Sequence, residues 1–268
     1  MRIRIAHRTD YRYEPPAAGV IQVLRVTPRN SEGQYVVRWR IDVSADARLA
    51  AHEDAFGNLT HVFSADGPLD QLSVEVDGEV ETQNTNGIVR GSLERFGPSL
   101  FLRDTALTQA DAAIRELAHG IRAAKHGEVL AELHALLDRL YEEMAHDSGE
   151  TQAASNAAEA FARKHGPSQD LSHIFIGAAH SLGIPARYVA GYYCSAEDVE
   201  AGKAGHAWVE AFVPDLGWVA FDPANGFCPT DGHVRVAIGL DALGAAPVRG
   251  VRYGPGAETL AVAITVGQ

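Results

Sequence analysis

The chain has 268 residues, of which 46% are hydrophobic and 22% are charged, and its formal net charge is −12 at pH 7. This length accommodates one large domain or two ordinary ones, and the composition is that of a globular protein with a substantial core. The negative charge argues against a nucleic acid or an anionic membrane as the main partner.

The strands predicted at the start of the chain are short and alternate in character. Arg2–His7 and Val36–Val43 alternate charged and apolar residues, as half-buried strands do. Val20–Pro28 and Leu72–Gln83 are also strand-like, and Asp77-Gly78 in the second allows a bulge or a tight turn. Short strands at this spacing predict an antiparallel β-sandwich domain over residues 1–100.

A helical region follows. The pattern from Thr108 to His146 is helical, and Thr108 with Asp111 is typical of an N-terminal cap. A break at Gly149 precedes a shorter helical run, Ala153–Lys164. The character of the chain therefore changes near residue 100, where we place a domain boundary.

The segment from Ser168 to Leu182 is the clearest helix in the chain, because its apolar residues form one continuous face. Gly183 and Pro185 end it. Helices followed by antiparallel strands predict an α+β domain over residues 101–268. The strands predicted after the helix are Ala186–Tyr193, His206–Val213, Trp218–Phe221, Val234–Ile238 and Leu260–Val266.

Three segments carry residues suited to catalysis. Ser168 stands at the start of the helix, where the dipole and unpaired N–H groups favour a developing anion. His206 opens an apolar strand and is a candidate base, and Asp222 ends the next strand, where a carboxylate holds an imidazole tautomer. Taken singly, Ser168 is an ordinary helix cap, His206 a structural histidine and Asp222 a turn residue.

These segments resemble a known family. Residues 166–193, GPSQDLSHIFIGAAHSLGIPARYVAGYY, are similar to the core motif of bacterial transglutaminase-like proteins, in which Gly-Val-Cys-Gln-Asp precedes a helix. Residues 205–226, GHAWVEAFVPDLGWVAFDPANG, resemble the His and Asp segment of the same family. The first hundred residues resemble the β-rich region that often precedes that core.

The resemblance implies a papain-like α+β core with a Cys-His-Asp triad. His206 and Asp222 match the family's His and Asp, whereas the position of the nucleophilic Cys is Ser168. Ser168 Oγ is expected within, or slightly beyond, hydrogen-bond reach of a His206 ring nitrogen. A serine hydroxyl is far less acidic than a thiol, so a site built for a thiolate is expected to be weak or inactive with Ser168.

The implied activity is that of a cysteine peptidase or amidase acting on amide bonds of a peptide or protein. Amine transfer, which makes a cross-linking or ligating enzyme, stays open because both outcomes share the fold. A non-catalytic peptide-binding protein is a further alternative. The intact His206 and Asp222 motifs favour an engineered Cys-to-Ser change at position 168, which would hold a substrate without turning it over, and a natural Ser nucleophile stays open.

Four further residues are candidates for supporting the site: Gln169, Asp170, His173 and Trp208. Asp170 and His173 are three residues apart on the helix and are interpreted either as a surface pair or as local support for the site. Trp208 lies within the His segment.

No cofactor or metal is expected. The sequence has no phosphate-binding or dinucleotide-binding loop, and its 12 histidines lack the spacing of a helical zinc motif. The three tryptophans do not alternate with basic clusters, which argues against stacking on nucleic acid. The oligomeric state stays open.

The cysteine content and the start of the chain bear on location. Cys194 and Cys228 are the only two cysteines in the sequence. Two reduced thiols are a simpler interpretation than a disulfide framework. Residues 1–16 lack the apolar segment of a signal peptide, and no stretch reaches the roughly 18 apolar residues of a membrane span. We therefore expect a cytoplasmic protein.

Overall fold

The computed structural model describes residues 1–147, 155–194 and 205–268, and two antiparallel sheets with four α-helices organise them. The predicted α+β class is confirmed. The strands are β1 (Arg2–Thr27), β2 (Gln34–Val43), β3 (Ala50–Glu53), β4 (Leu59–Thr82), β5 (Ala145–His146), β6 (His165–Gly166), β7 (Ala186–Tyr193), β8 (His206–Val213), β9 (Gly217–Phe221), β10 (His233–Gly239), β11 (Val248–Tyr253) and β12 (Ala257–Gly267). The helices are α1 (Ala112–Lys125), α2 (Val129–Glu143), α3 (Ala157–Arg163) and α4 (Ser168–Ser181).

The first sheet is built on two long strands, β1 and β4, which pair antiparallel along most of their length. The strands predicted separately at Arg2–His7 and Val20–Pro28 are parts of β1, which continues through register shifts between Arg12 and Ala17. The order is β11-β1-β4-β2, with β12 also pairing β1 and β3 pairing β4. The antiparallel β-rich N-terminal region is therefore present as predicted.

Asp77-Gly78 forms no turn, because both residues lie inside β4. Gly78 pairs with Trp39 of β2, and a Cβ at Gly78 would overlap the Trp39 indole. The bulge in this part of the sheet lies in the partner strand, where the register shifts between Val36 and Arg38. The glycine that suggested a turn thus makes room for a large ring.

The first sheet takes strands from both ends of the chain. Strands β11 and β12, which lie within the predicted 101–268 region, hydrogen-bond to β1. The alternation of apolar residues identifies a strand but not its partner, so the sequence pattern could not predict this pairing. Ile3 and Ile5 of β1 and Ile264 of β12 pack into the same apolar cluster as the helices. The two sheets therefore share one core.

The second sheet has the order β10-β7-β8-β9, and α4 packs against β7 and β8. Helices α1, α2 and α3 pack on the other sides of α4, which is buried from Asp170 to Ala179. Such all-round burial is typical of a central helix rather than a surface helix with one apolar face.

The cap of α1 differs in detail from the sequence prediction. Asp111 is the N-cap, and its side chain accepts a hydrogen bond from the Ile114 N–H at 2.9 Å. Thr108 lies earlier, and its Oγ1 accepts from the N–H of Thr105 at 2.9 Å. Thr108 therefore stabilises the turn that precedes the helix, where its carbonyl meets α4.

A buried ion network joins three strands of the second sheet. Arg187 of β7 donates to Glu210 of β8 at 2.7 Å and to Glu94 at 2.6 Å and 2.8 Å, and Arg235 of β10 donates to Glu210 at 2.6 Å. Burial raises the pKa of Glu210, but Arg235 and Arg187 outweigh burial and bring the pKa to about 2. The Arg187 guanidinium also lies 3.9 Å from the Trp218 ring centroid. The strands that carry the site are thus tied together beneath it.

Two helical glycines provide a matched test of how closely α4 packs against the turn that contains Thr108. A Cβ at Gly177 in α4 would overlap the Thr108 carbonyl oxygen, whereas a Cβ at Gly120 in α1 meets no atom within 4 Å. We expect Gly177→Ala to lower the free energy of unfolding by about 1–3 kcal/mol through overpacking. Gly120→Ala is expected to raise it by about 0.5–1 kcal/mol through helix propensity. Urea unfolding followed by circular dichroism measures both, and equal effects of the two changes would contradict the close approach of α4.

Candidate active site

Ser168 is the first residue of α4 and is buried. Pro167 precedes it as the N-cap with extended backbone, so the helix begins directly at the serine. Its Oγ accepts a hydrogen bond from the backbone N–H of Ala207 at 3.2 Å. The first N–H groups of a helix have no partner within the helix and create a positive field. Position 168 is therefore an environment that stabilises an anion.

His206 and Asp222 form a close pair. His206 is the first residue of β8, and its Nε2 lies 2.6 Å from Oδ2 of Asp222, which directly follows β9. Burial raises the pKa of Asp222, but the neighbouring imidazole of His206 outweighs burial and holds the pKa well below its usual range. An ionised carboxylate only accepts hydrogen bonds, so the His206 Nε2 carries the proton and donates it. The Nδ1 of a neutral His206 is then left as an acceptor.

A second histidine, His233, contacts the same carboxylate oxygen, and sequence reasoning missed it. Its Nε2 lies 3.0 Å from Oδ2 of Asp222, and its Nδ1 accepts from the Thr230 N–H at 3.2 Å. The backbone donor fixes the tautomer with the proton on Nε2, which donates to Asp222. Burial lowers the pKa of His233 despite the hydrogen bond to Asp222. A histidine that opens a strand, as His206 does, is the only signal in the sequence.

Asn225 and a backbone amide complete the surroundings of the carboxylate. Asn225 Nδ2 donates to Oδ2 of Asp222 at 2.7 Å, and the Ala224 N–H donates to Oδ1 at 3.1 Å. The side chain of Asp222 has no exposed surface. Each of these groups donates a hydrogen bond to the carboxylate, as the burial of its charge requires.

Ser168 and His206 line one cavity, although no hydrogen bond joins their side chains within the described part of the chain. The serine hydroxyl is held by Ala207, the residue that follows His206. The expected approach of Ser168 Oγ to a His206 ring nitrogen therefore stays a prediction.

The predicted supporting residues lie in three different places. Gln169 is partly buried and lines the cavity. Trp208 is buried beneath the histidines, with its ring centroid 6.2 Å from that of His206 and 5.3 Å from that of His233. Trp208 thus provides an apolar floor for both imidazoles.

The interpretation of Asp170 and His173 as a surface pair is wrong, because α4 is buried and both residues with it. Asp170 pairs with Arg163 of α3 at 3.3 Å. His173 Nε2 accepts from the Ala242 N–H at 3.1 Å, and burial lowers its pKa to about 4. The two residues thus link α4 to its neighbours, and their support of the site stays a prediction.

Neither cysteine has the surroundings of a nucleophile. Cys194 is buried and Cys228 partly buried, both are unpaired, and neither lines the cavity. Burial raises the pKa of both thiols, that of Cys228 to about 11. A raised pKa suppresses the thiolate that reacts.

The donor atoms of His206, Asp222 and His233 lie within 4.8 Å of one another, which is a spacing that metal ions use. The three residues lie at the ends of three different strands, so no helical metal-binding spacing in the sequence marks the cluster. Their protons and lone pairs already satisfy one another through the hydrogen bonds to Asp222. The arrangement is therefore complete as a carboxylate with two imidazole donors.

The cavity has a volume of about 480 Å³ and lies between the two sheets. Pro167 and Ser168 line it at the start of α4, and Tyr192 of β7 and Val262 of β12 line the facing sheets. A volume of this size is usual for a site that binds a small molecule or a few residues of a peptide. Among the described residues, no helix is both long and apolar enough to cross a membrane.

Two family models match the chain. Residues 3–81 match the model of the bacterial transglutaminase-like N-terminal region, and residues 115–223 match that of the transglutaminase-like superfamily. The two matched regions lie on either side of the predicted boundary near residue 100. Positions 168, 206 and 222 all lie within the second.

Proteins from mycobacteria match this chain along most of its length. The chain is 29% identical to the uncharacterized protein ML0607 of Mycobacterium leprae, over 99% of this chain and 98% of that protein. It is 27% identical to the uncharacterized protein Rv2569c of Mycobacterium tuberculosis, over 94% of this chain and 88% of that protein.

A solved structure from Cytophaga hutchinsonii, described as that of a candidate cysteine protease, matches with a TM-score of 0.76 at 20% identity. The match covers 100% of this chain and 90% of that one. The fold of both sheets together is therefore shared with that structure.

Buried neutral histidines make stability depend on pH. Burial lowers the pKa of His7 and His173 to about 4, below the roughly 6.5 of an unfolded histidine. Between these two pKa values the unfolded state binds more protons than the folded state. The free energy of unfolding is therefore highest above about pH 6.5 and falls by about 3 kcal/mol for each residue as the pH decreases towards 4. His173→Gln, which keeps an acceptor for Ala242, should reduce the loss of unfolding free energy between pH 7 and pH 4 by about 3 kcal/mol, as measured by urea unfolding. An unchanged loss would contradict a neutral His173.

Proposed function

The chain belongs to the transglutaminase-like superfamily, and we propose that its cavity is an acyl-transfer site for amide bonds. In this proposal position 168 is the nucleophile, His206 is the general base and Asp222 orients the imidazole. The observation that carries the proposal is the 2.6 Å contact between His206 Nε2 and the buried Asp222, beside the N-terminus of α4.

The chemistry is written for the cysteine that the family places at position 168. His206 Nδ1 takes the thiol proton, and the thiolate attacks the carbonyl carbon of the amide. The C–N bond then breaks, the proton on His206 passes to the leaving amine, and a thioester remains. Water or a second amine attacks the thioester and releases the acyl group and the thiol.

The surroundings of position 168 suit a thiolate. The Ala207 N–H, 3.2 Å from the Ser168 Oγ, is placed to donate to a sulfur anion, and the start of α4 adds its positive field. The Ser168 N–H is a candidate donor to the oxyanion of the tetrahedral intermediate. A serine gains less from these features, since its hydroxyl stays protonated until attack. We expect the Ser168 chain to bind substrate and to turn it over weakly or not at all.

Of the two fates of the acyl group, we propose hydrolysis, so that the chain has the scaffold of a peptidase or amidase. The description of the Cytophaga structure as a candidate cysteine protease is in line with this choice, whereas the fold alone serves both fates. Amine transfer is distinguished by adding a primary amine to the assay and searching for the amide product.

A binding role is the second candidate, and Ser168 itself favours it. A site that keeps its cavity, His206 and Asp222 but lacks the thiol can hold a peptide without cleaving it. The partner in either case is a peptide or protein. The cytoplasmic location and the division into residues 1–100 and 101–268 stay predictions.

Restoring the thiol tests the proposal. In the Ser168→Cys form, iodoacetamide at about pH 6.5 should label Cys at position 168 at least on the order of tenfold faster than Cys194 or Cys228. At this pH an ordinary thiol is mostly protonated, whereas a thiolate beside an imidazolium is already reactive. Peptide mapping by mass spectrometry measures all three positions in one sample, so the two native cysteines are internal controls.

His206→Ala in the same background should slow this labelling at least on the order of tenfold, because the thiol loses its base. Asp222→Asn should slow it as well, because the amide favours the wrong imidazole tautomer. If position 168 and Cys228 are labelled at equal rates in the Ser168→Cys form that keeps His206 and Asp222, position 168 is not an activated nucleophile and the binding role remains.

His233 is expected to act as a positioning residue through Asp222. In the Ser168→Cys form, His233→Ala should slow labelling several-fold and shift its pH profile, because Asp222 loses one of its donors. His233→Gln has an amide N–H that can donate to Asp222 and should retain most of the rate. If the alanine and glutamine variants react alike, the hydrogen bond to Asp222 has no role in the site.

A further inference from the structure

The first sheet forms one wall of the cavity that holds Ser168 and His206. Leu260, Val262 and Ile264 of β12 line this wall, and the facing wall includes Tyr192 of β7. The C-terminal strand of the chain is thus part of the candidate site, although it lies outside the matched regions at residues 3–81 and 115–223.

The apolar side chains of β12 form a graded strip. Ile264 is 4% exposed and packs into the core, whereas Val262 is 49% exposed and Leu260 is 56% exposed. Alternate residues of a strand lie on the same face, so these three side chains follow one another along the cavity wall. The strip therefore leads from solvent towards the buried end of the cavity.

Strand β12 also has a free edge in the part of the chain that the structure describes. It pairs with β1 along one side, from Glu14–Ala257 to Arg4–Gly267, and has no second partner strand among the described residues. An apolar edge strand left in this state invites the pairing of an extended peptide. A peptide added to this edge would extend the sheet whose side chains line the cavity.

Two charged side chains among the described residues that line the cavity already have partners. Arg25, which lines it, is paired with Asp54 at 3.0 Å, and Asp147 is hydrogen-bonded to His165 at 2.7 Å. His7 is buried, and its ring nitrogen lies 2.9 Å from the Tyr192 hydroxyl. A charged substrate side chain would lose its hydration here and compete for groups that already have partners, which is unfavourable.

We propose that β12 binds the apolar side chains of an extended peptide, so that the preferred substrates carry bulky aliphatic or aromatic residues beside the scissile amide. The proposal rests on the proposed acyl-transfer function and names the substrate class of that site. Leu260 and Val262 are the contact residues, and each buries exposed apolar surface when the peptide binds.

Binding to the Ser168 chain tests the proposal without any turnover. Two blocked peptides serve as probes in isothermal titration calorimetry: acetyl-Gly-Leu-Phe-Gly-amide and acetyl-Gly-Ser-Ser-Gly-amide. We expect the apolar peptide to bind at least about tenfold more tightly than the serine peptide, since two large side chains leave water.

Three serine variants separate the contact strip from general surface effects. Leu260→Ser and Val262→Ser should each weaken binding of the apolar peptide by about fivefold to tenfold. Val251→Ser is the matched control, because Val251 is 63% exposed on the adjoining β11 and does not line the cavity. All three positions are well exposed, so the variants should fold, and thermal unfolding checks this.

Peptide binding tests the role of β12, and thiol labelling tests the acyl-transfer function. Equal binding of the two peptides, no binding of either, or equal effects of Val262→Ser and Val251→Ser would each overturn the role of β12. Thiol labelling of the Ser168→Cys form is read independently, because it needs no peptide. In an active Ser168→Cys form, Val262→Ser should raise KM for the apolar peptide with little change in kcat.

Discussion

The buried carboxylate of Asp222 is the constraint on which the site depends. A charge with no exposed surface is stable only when donors surround it, and here two imidazoles, an amide and backbone N–H groups do so. Meeting this requirement fixes the ring of His206 and brings His233, from another strand, to the same oxygen. The need to satisfy one charge thus determines which imidazole nitrogen of His206 is left as an acceptor.

The framework beneath the site follows the same physical logic. Glu210 is fully buried and is balanced by Arg187 and Arg235, so strands β7, β8 and β10 are held in register on the face away from α4. On the other face α4 is buried on all sides and approaches Thr108 so closely that only glycine fits at position 177. Because neither the sheet nor the helix can shift without exposing charge or creating overlap, the start of α4 is held beside β8.

Local sequence patterns and long-range packing fix different features of this protein. Ser168 starts a helix, His206 starts a strand and Asp222 follows the end of one, as predicted, because each lies in a contiguous motif with a clear local pattern. The buried state of Asp170 and His173 was missed because it depends on which helices surround α4. His233 was missed for a similar reason, since only the pairing of β10 with β7 brings it to Asp222.

The amino-acid sequence by itself determined the α+β class, the helix from position 168, and the places of His206 at the start of one strand and of Asp222 at the end of the next. These features depend on short-range periodicity and on motifs read within a few residues. The tertiary structure alone decided that β11 and β12 join the first sheet, that both sheets enclose one cavity, and that two histidines share one carboxylate. Strand partners and buried contacts join residues far apart in the chain, and a periodic pattern carries no information about which distant segment satisfies it.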